Sequence, residues 1–258
     1  MEEMLPIALS IAGSDPSGGA GIQADLKTFH RFHVYGTAAI TLLTVQNTRR
    51  VSRVEILPPD LILQQIEAVL EDLPPNVIKT GALGNAATIE AIASLTFRCP
   101  LVVDPVMISK HGASLMDPAA REILTKLLLP KAALVTPNLH EAAALTGLPV
   151  ATPTEMREAA RRIADFGPPA VLIKGGHLQN TALDILYSAG QFHEFPGVRH
   201  NTPHTHGTGC TYSAAIAALL ALGQPLPNAV AAAKAFIAEA IRTNPGLGAG
   251  NGPVNHWA

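Results

Sequence analysis

An α/β fold built on a doubly wound, mostly parallel sheet is predicted by short apolar runs that recur along the chain and helix-periodic segments that separate them. Nearly every apolar run also ends at a glycine or a functional side chain. The runs are Ile7 to Ala12, Ala38 to Val45, Val77 to Lys79, Leu101 to Val103, Ala132 to Val135 and Ala170 to Ile173. Their apolarity is continuous rather than alternating, as strands buried on both faces require. Helical spacing fills Asp60 to Leu73, Pro118 to Leu128 and Pro153 to Asp165. The last is entered at Pro153, where a missing amide proton suits a first helical turn and the neighbouring residues supply the cap. Tyr187 to Phe195, interrupted by Ser-Ala-Gly-Gln, reads as a hairpin near the sheet edge. With 258 residues, 48% apolar and 15% charged, the chain is expected to fold as one domain spanning 1–258.

A formal charge of -2 argues against a nucleic-acid or anionic-membrane partner. The start, Met-Glu-Glu-Met, is acidic where a secretory signal is basic. The longest apolar stretch, Ala214 to Leu222, falls far short of the ~18 residues of a membrane span. A soluble, cytoplasmic protein is the expectation. The two cysteines, Cys99 and Cys210, lie far apart, which excludes a C-x-x-C metal ribbon. Cys99, ahead of Pro100 and an apolar run, reads as structural.

The strand ends carry Gly13-Ser14-Asp15, Gln46-Asn47, Lys79-Thr80-Gly81, Asp104-Pro105, Thr136-Pro137-Asn138 and Lys174-Gly175-Gly176. Ligands of open α/β sheets bind outside the carboxyl ends of the strands, so these groups are expected to converge on one small-molecule crevice.

Two glycine-rich segments stand out. Gly13 to Asp25 follows the first run and opens a helix; its glycines let backbone amides approach a ligand, and Asp25 is a candidate acceptor for a substrate hydroxyl or ring amine. It does not fit G-x-G-x-x-G. His206-Gly-Thr-Gly-Cys-Thr-Tyr-Ser213 precedes the Ala-rich stretch, and a glycine turn at a helix start is suited to phosphate, with amide donors and the positive dipole end directed outward. An ordinary capped helix with a packed Cys210 is the competing reading. The segment is not a Walker motif. Lys174 is a candidate point charge for nucleotide phosphates, and Asp104 and Glu141 are candidate Mg2+ ligands, directly or through water. Asn138 and Glu141 also have the spacing of a helix capping box, and both roles can coexist. His200, His204 and His206 lie in a Pro-containing stretch without a recognisable metal spacing and read as polar loop residues.

Together, Ala12 to Lys27, Asp104-Pro-Val-Met107, Asn138-Leu-His-Glu141 and Gly207-Thr-Gly-Cys-Thr211 resemble the ribokinase-like superfamily over essentially the whole chain, and within it the hydroxymethylpyrimidine/phosphomethylpyrimidine kinases. The resemblance implies an ATP- and Mg2+-dependent phosphotransferase of thiamine biosynthesis, acting as a homodimer. It implies that Asp25 and Gln46 contact an aminopyrimidine in a pocket shaped by Gly13, Ala20, Val45, Ala82 and Met107. Asn138, Thr208 and Lys174 would serve the nucleotide, Asp104 and Glu141 the metal, and Gly207, Gly209 and Cys210 the anion hole. Lys79-Thr-Gly-Ala-Leu83 stands where similar enzymes often read Lys-Ile-Gly-Met-Leu, so Ala82 would leave more room beside the ring. Pyridoxal kinase activity, a non-catalytic nucleotide- or vitamin-binding role, and nucleophilic catalysis by Cys210 with His206 as its base are the alternatives.

Overall fold

The computed structural model describes residues 5–108, 112, 115–176, 178 and 181–258, so the acidic start at 1–4 lies outside the described residues. The strands are β1 (Ile7–Ser14), β2 (Tyr35–Gln46), β3 (Val51–Ile56), β4 (Val77–Thr80), β5 (Leu101–Val103), β6 (Leu134–Val135), β7 (Ala170–Ile173), β8 (Asp184–Ser188) and β9 (Gln191–Phe195). They form one sheet in the order β3-β2-β1-β4-β5-β6-β7-β8-β9. From β2 through β7 every neighbouring pair is parallel, and antiparallel β3 closes one edge while the β8–β9 hairpin closes the other.

Successive strand residues point to opposite faces, and both faces are covered. Leu9, Ile11, Ile78, Val103, Val135 and Val171 pack with α2 (Pro59–Asp72), α3 (Ala86–Ser94), α4 (Pro118–Ile123), α5 (Leu139–Thr146) and α6 (Pro153–Ala164). Ala8, Val77, Val102, Leu134 and Leu172 pack with α1 (Gly21–Arg31), α7 (Thr208–Ala221) and α8 (Leu226–Arg242). Helix α7 is buried continuously from Thr211 to Leu219, which explains why its sequence is apolar on every side.

The predicted architecture is therefore present, with local differences. Strand β3 was not expected: its Ser52, Arg53 and Glu55 are exposed, and an edge strand needs little apolar sequence. The helix expected to Leu128 is α-helical only to Ile123, then continues as a π-helical stretch at Leu124–Leu128 and a 3-10 turn at Leu129–Lys131. That turn delays the next strand to Leu134. The predicted hairpin is β8–β9, and Ala189 and Gly190 turn it with φ of 50° and 76°. Among the described residues no helix is long and apolar enough to cross a membrane.

Candidate active site

The loop after β1 is shaped by Asp15. Its carboxylate accepts from the Ser17 amide (2.9 Å) and hydroxyl (2.7 Å), the Ala20 amide (2.9 Å) and the Gly19 amide (3.2 Å), a local Asx-type fold of the chain. The loop closes at Gly21, where φ is 58° and a Cβ would stand 2.2 Å from the Gly13 carbonyl oxygen. Gly13 and Gly21 thus meet at the carboxyl end of β1, with Ala20 next in the loop. Gln46 ends the neighbouring β2, with Val45 exposed beside it. Ala82, past β4, is partly exposed and accepts the Thr41 hydroxyl at 2.6 Å on its carbonyl, and Met107, past β5, is buried. All of these lie at the same end of the sheet.

Gly207 caps α7 with φ of 77°, and a Cβ there would fall 1.7 Å from the Gly19 carbonyl oxygen. The loop after β1 and the turn before α7 are therefore in direct contact, and glycine makes that possible. The first helical bond runs from the Thr211 amide to the Gly207 carbonyl at 2.8 Å. The amides of Gly209 and Cys210 precede it, so no carbonyl of their own helix takes them. Thr208 is held locally, its amide (3.3 Å) and its hydroxyl (2.7 Å) both donating to the Thr205 carbonyl.

Gly209 faces the charged groups of the site. A Cβ on it would lie 3.4 Å from Lys174 Nζ and 3.9 Å from Asp104 Oδ2. Lys174 Nζ donates to Asp104 Oδ1 at 2.7 Å; the Thr136 hydroxyl donates to the same oxygen at 3.2 Å and the Ser213 hydroxyl to Oδ2 at 3.1 Å. Burial alone would raise the pKa of Asp104, but Lys174 and then Lys79 hold it below the usual carboxylate value. The Lys174 backbone amide donates to the Pro137 carbonyl at 2.8 Å, which sets it beside Asn138 at the start of α5. There the capping box is complete: the Glu141 amide donates to Asn138 Oδ1 at 3.0 Å and the Asn138 amide to Glu141 Oε2 at 2.8 Å. Burial lifts Glu141 to about 7, with Lys174 opposing and Asp104 reinforcing the rise.

A second lysine–aspartate pair, wholly enclosed, lies deeper. Lys79 Nζ donates to both oxygens of Asp25, at 2.9 and 2.8 Å, and the Ser10 hydroxyl donates to Oδ2 at 2.6 Å. Burial opposes the charge on Lys79, but Asp25, with Cys210 and Asp104 adding to it, raises its pKa. Asp25 was expected to receive a substrate group; instead it has no solvent exposure and its oxygens are taken by Lys79 and Ser10, so it is an ion-pair partner under the site. Cys210 lies within the field of both pairs. Burial pushes its thiol up to about 11, outweighing the pull of Lys79, and Asp25 and Asp104 add to the rise. The thiol is accordingly neutral at physiological pH, whatever the helix start contributes in isolation.

His206 corrects the reading of a polar loop residue. It is 3% exposed, and its Nε2 stands 2.7 Å from Asp15 Oδ2 and 3.1 Å from Gln46 Nε2. Asp15 and Lys79 were expected at the strand ends, but their pairing with His206 and Asp25 was not. The Asp-x-Ser spacing was a usable signal for the local fold at Asp15; no local pattern marks the partners of Lys79 or His206.

The chain is similar to known proteins over nearly its whole length. The phosphomethylpyrimidine kinase family matches residues 15–255. The hydroxymethylpyrimidine/phosphomethylpyrimidine kinase of Synechococcus elongatus is 46% identical over 98% of each chain. The thiamine biosynthesis bifunctional protein ThiED of Geobacter sulfurreducens is 50% identical over 96% of this chain, which spans about half (51%) of that longer protein. Among solved structures, the phosphomethylpyrimidine kinase of Clostridium difficile is similar with a TM-score of 0.81 and 44% identity, covering 92% of this chain and 99% of the other. An ADP complex of Bacillus subtilis pyridoxal kinase has a TM-score of 0.89 and 38% identity over 98% of each chain. By sequence and fold, the chain is a kinase belonging to the phosphomethylpyrimidine kinase family.

Proposed function

We propose that the chain transfers the terminal phosphoryl group of ATP to the hydroxymethyl oxygen of 4-amino-5-hydroxymethyl-2-methylpyrimidine, and then phosphorylates that monophosphate to the pyrophosphate used in thiamine biosynthesis. The observation that carries this reading is the contact between Gly19 and Gly207, which joins a loop suited to a small ring to a helix start suited to phosphate. In this reading Gly13, Ala20, Val45, Gln46, Ala82 and Met107 bound the ring. The amides of Gly209 and Cys210, set by Gly207, receive the transferred oxygens, Lys174 neutralises them, and Asn138 with the Thr208 backbone borders the nucleotide. Phosphoryl transfer depends mainly on positioning and charge neutralisation, so a neutral Cys210 is no obstacle.

Mg2+ belongs to the proposal. Asp104 and Glu141 are hard oxygen donors close enough to feel one another's charge, and the raised pKa of Glu141 marks a carboxyl group that a nearby cation would ionise. Because both Asp104 oxygens already accept hydrogen bonds, the fit is best for a metal held partly through water. When bound, Mg2+ neutralises charge on the nucleotide phosphates. A cytoplasmic homodimer without nucleic-acid or membrane partners completes the reading.

The test is ADP release with Mg-ATP and, separately, hydroxymethylpyrimidine, its monophosphate or pyridoxal, with Cys210→Ala as control. Turnover on both pyrimidines is expected. Turnover on pyridoxal alone would move the chain to the second reading, which the Bacillus subtilis pyridoxal kinase resemblance favours. Nucleotide binding without ADP release from any acceptor would reject the kinase assignment of this site.

A further inference from the structure

We propose that His206 is a positioning residue that decides which end of the Gln46 amide faces the substrate, and so sets the hydrogen-bonding character of the ring that the site accepts. The inference deepens the pyrimidine reading and rests on it.

His206 Nε2 lies between two polar groups, 2.7 Å from Asp15 Oδ2 and 3.1 Å from the Gln46 terminal nitrogen. A ring nitrogen carries either a proton or a lone pair. Asp15 is ionised: burial would raise its pKa, but hydrogen bonds from His206 and Ser17 bring it below the usual value. A lone pair so near a carboxylate oxygen would be repelled, so Nε2 carries the proton and donates it to Asp15. An amide NH2 then has nothing to donate to at that nitrogen. The two ends of a primary amide exchange by rotation about its terminal bond, and electrostatics favours the Gln46 carbonyl oxygen beside His206. The NH2 turns outward, from a residue that is itself partly exposed at the carboxyl end of β2. It offers a donor to the crevice, which favours a ring edge bearing an unprotonated nitrogen over one bearing N–H or hydroxyl.

The imidazole is held for this task. The His206 amide donates to the Gly252 carbonyl at 3.0 Å, and its carbonyl accepts from Val254 at 3.3 Å. A Cβ on Gly19 would stand 2.5 Å from His206 Cδ2, so that loop lies directly against the ring. His206 thereby links the substrate loop, Gln46 and the turn into α7.

The test uses the full chain carrying isotope-labelled histidine, with long-range proton–nitrogen NMR at neutral pH and His206→Gln to assign the signals. A protonated Nε2 on His206 is expected; a pyridine-type Nε2 would overturn the proposal. Kinetics supply the second arm. His206→Leu should raise KM for hydroxymethylpyrimidine by about tenfold or more while kcat changes by less than about threefold, because ground-state recognition is what it disturbs. His206→Gln, whose amide can still donate to Asp15, should recover most of that loss. An unchanged KM in the Leu variant, or equal loss in both, would overturn the positioning role. Should the Leu variant not fold, the Gln variant and the tautomer still decide. Absence of pyrimidine turnover by the unaltered chain would strike the pyrimidine reading and the substrate half of this proposal together, whereas a pyridine-type Nε2 strikes only the latter.

Discussion

Cys210 shows how far surroundings can override a local rule. A cysteine in the first turn of a helix is ordinarily expected to lean toward thiolate, yet burial and two nearby carboxylates push this one up to about 11. Alkylation by iodoacetamide should therefore be slow at neutral pH and climb only as the pH approaches about 11; a rate already at its plateau near neutrality would refute the neutral thiol. A neutral group also tolerates an incoming monophosphate where a fixed carboxylate repels it. Cys210→Asp should accordingly depress kcat/KM for the monophosphate about tenfold more than for the alcohol, read from ADP release on each. Glu141 gives a pH signature of defined sign. Its pKa rises from 4.5 to about 7 on folding, so the folded state binds this proton more tightly than the unfolded chain. The resulting stability is fully present below about 4.5 and is lost as pH rises through about 7. The difference in urea midpoint between the unaltered chain and Glu141→Gln should drift across that window, and a pH-independent difference would contradict the raised pKa.

At the scale of elements, helix starts carry the site. The capping box of α5 was legible from the Asn138-Leu-His-Glu141 spacing because both hydrogen bonds close within one turn, and the structure contains both. The turn into α7 was legible as a glycine segment, but its contact with Gly19 was not, since that glycine lies in a distant part of the chain. Gly207→Ala combines a left-handed φ with a Cβ that would meet a backbone oxygen at 1.7 Å, so the loop after β1 must shift. A displacement of that kind should lower kcat/KM by about a hundredfold. Gly223→Ala is the control: φ is 76° but nothing lies within 4 Å of the added carbon. It should cost about 1 kcal/mol in urea denaturation with kcat unchanged. Equal kinetic loss in both variants would mean that backbone strain, and not the loop contact, explains the effect.

Across the whole molecule, the enclosed Lys79–Asp25 pair ties β4 to α1, and Ser10 brings in β1 between them. Such a pair need not add net stability, but removing one member leaves an uncompensated buried charge. Lys79→Met should therefore lose about 3–5 kcal/mol in urea denaturation, and the double variant Lys79→Met/Asp25→Leu should regain much of it. A double variant no more stable than Lys79→Met would show that the pair's role lies in its geometry rather than in mutual neutralisation.

The amino-acid sequence by itself determined the parallel core, the gathering of polar side chains at the strand ends, the edge hairpin and the helix caps, because periodicity and hydrogen bonds a few residues apart are written locally. The placement of Lys174, Asp104, Asn138, Glu141, Gly207, Gly209 and Cys210 was legible for the same reason: each stands where an apolar run stops or a helix begins. Tertiary structure alone decided which charges face each other. Asp15 meets His206 across 191 positions and Lys79 meets Asp25 across 54, pairings that depend on strand order and on which helix crosses which strand end. Edge strand β3 was hidden because an exposed strand has little apolar pattern to reveal it. The enclosure of Asp25 and the protonation of Cys210 were decided there too, since desolvation is a property of everything packed around a group and not of its neighbours in the chain.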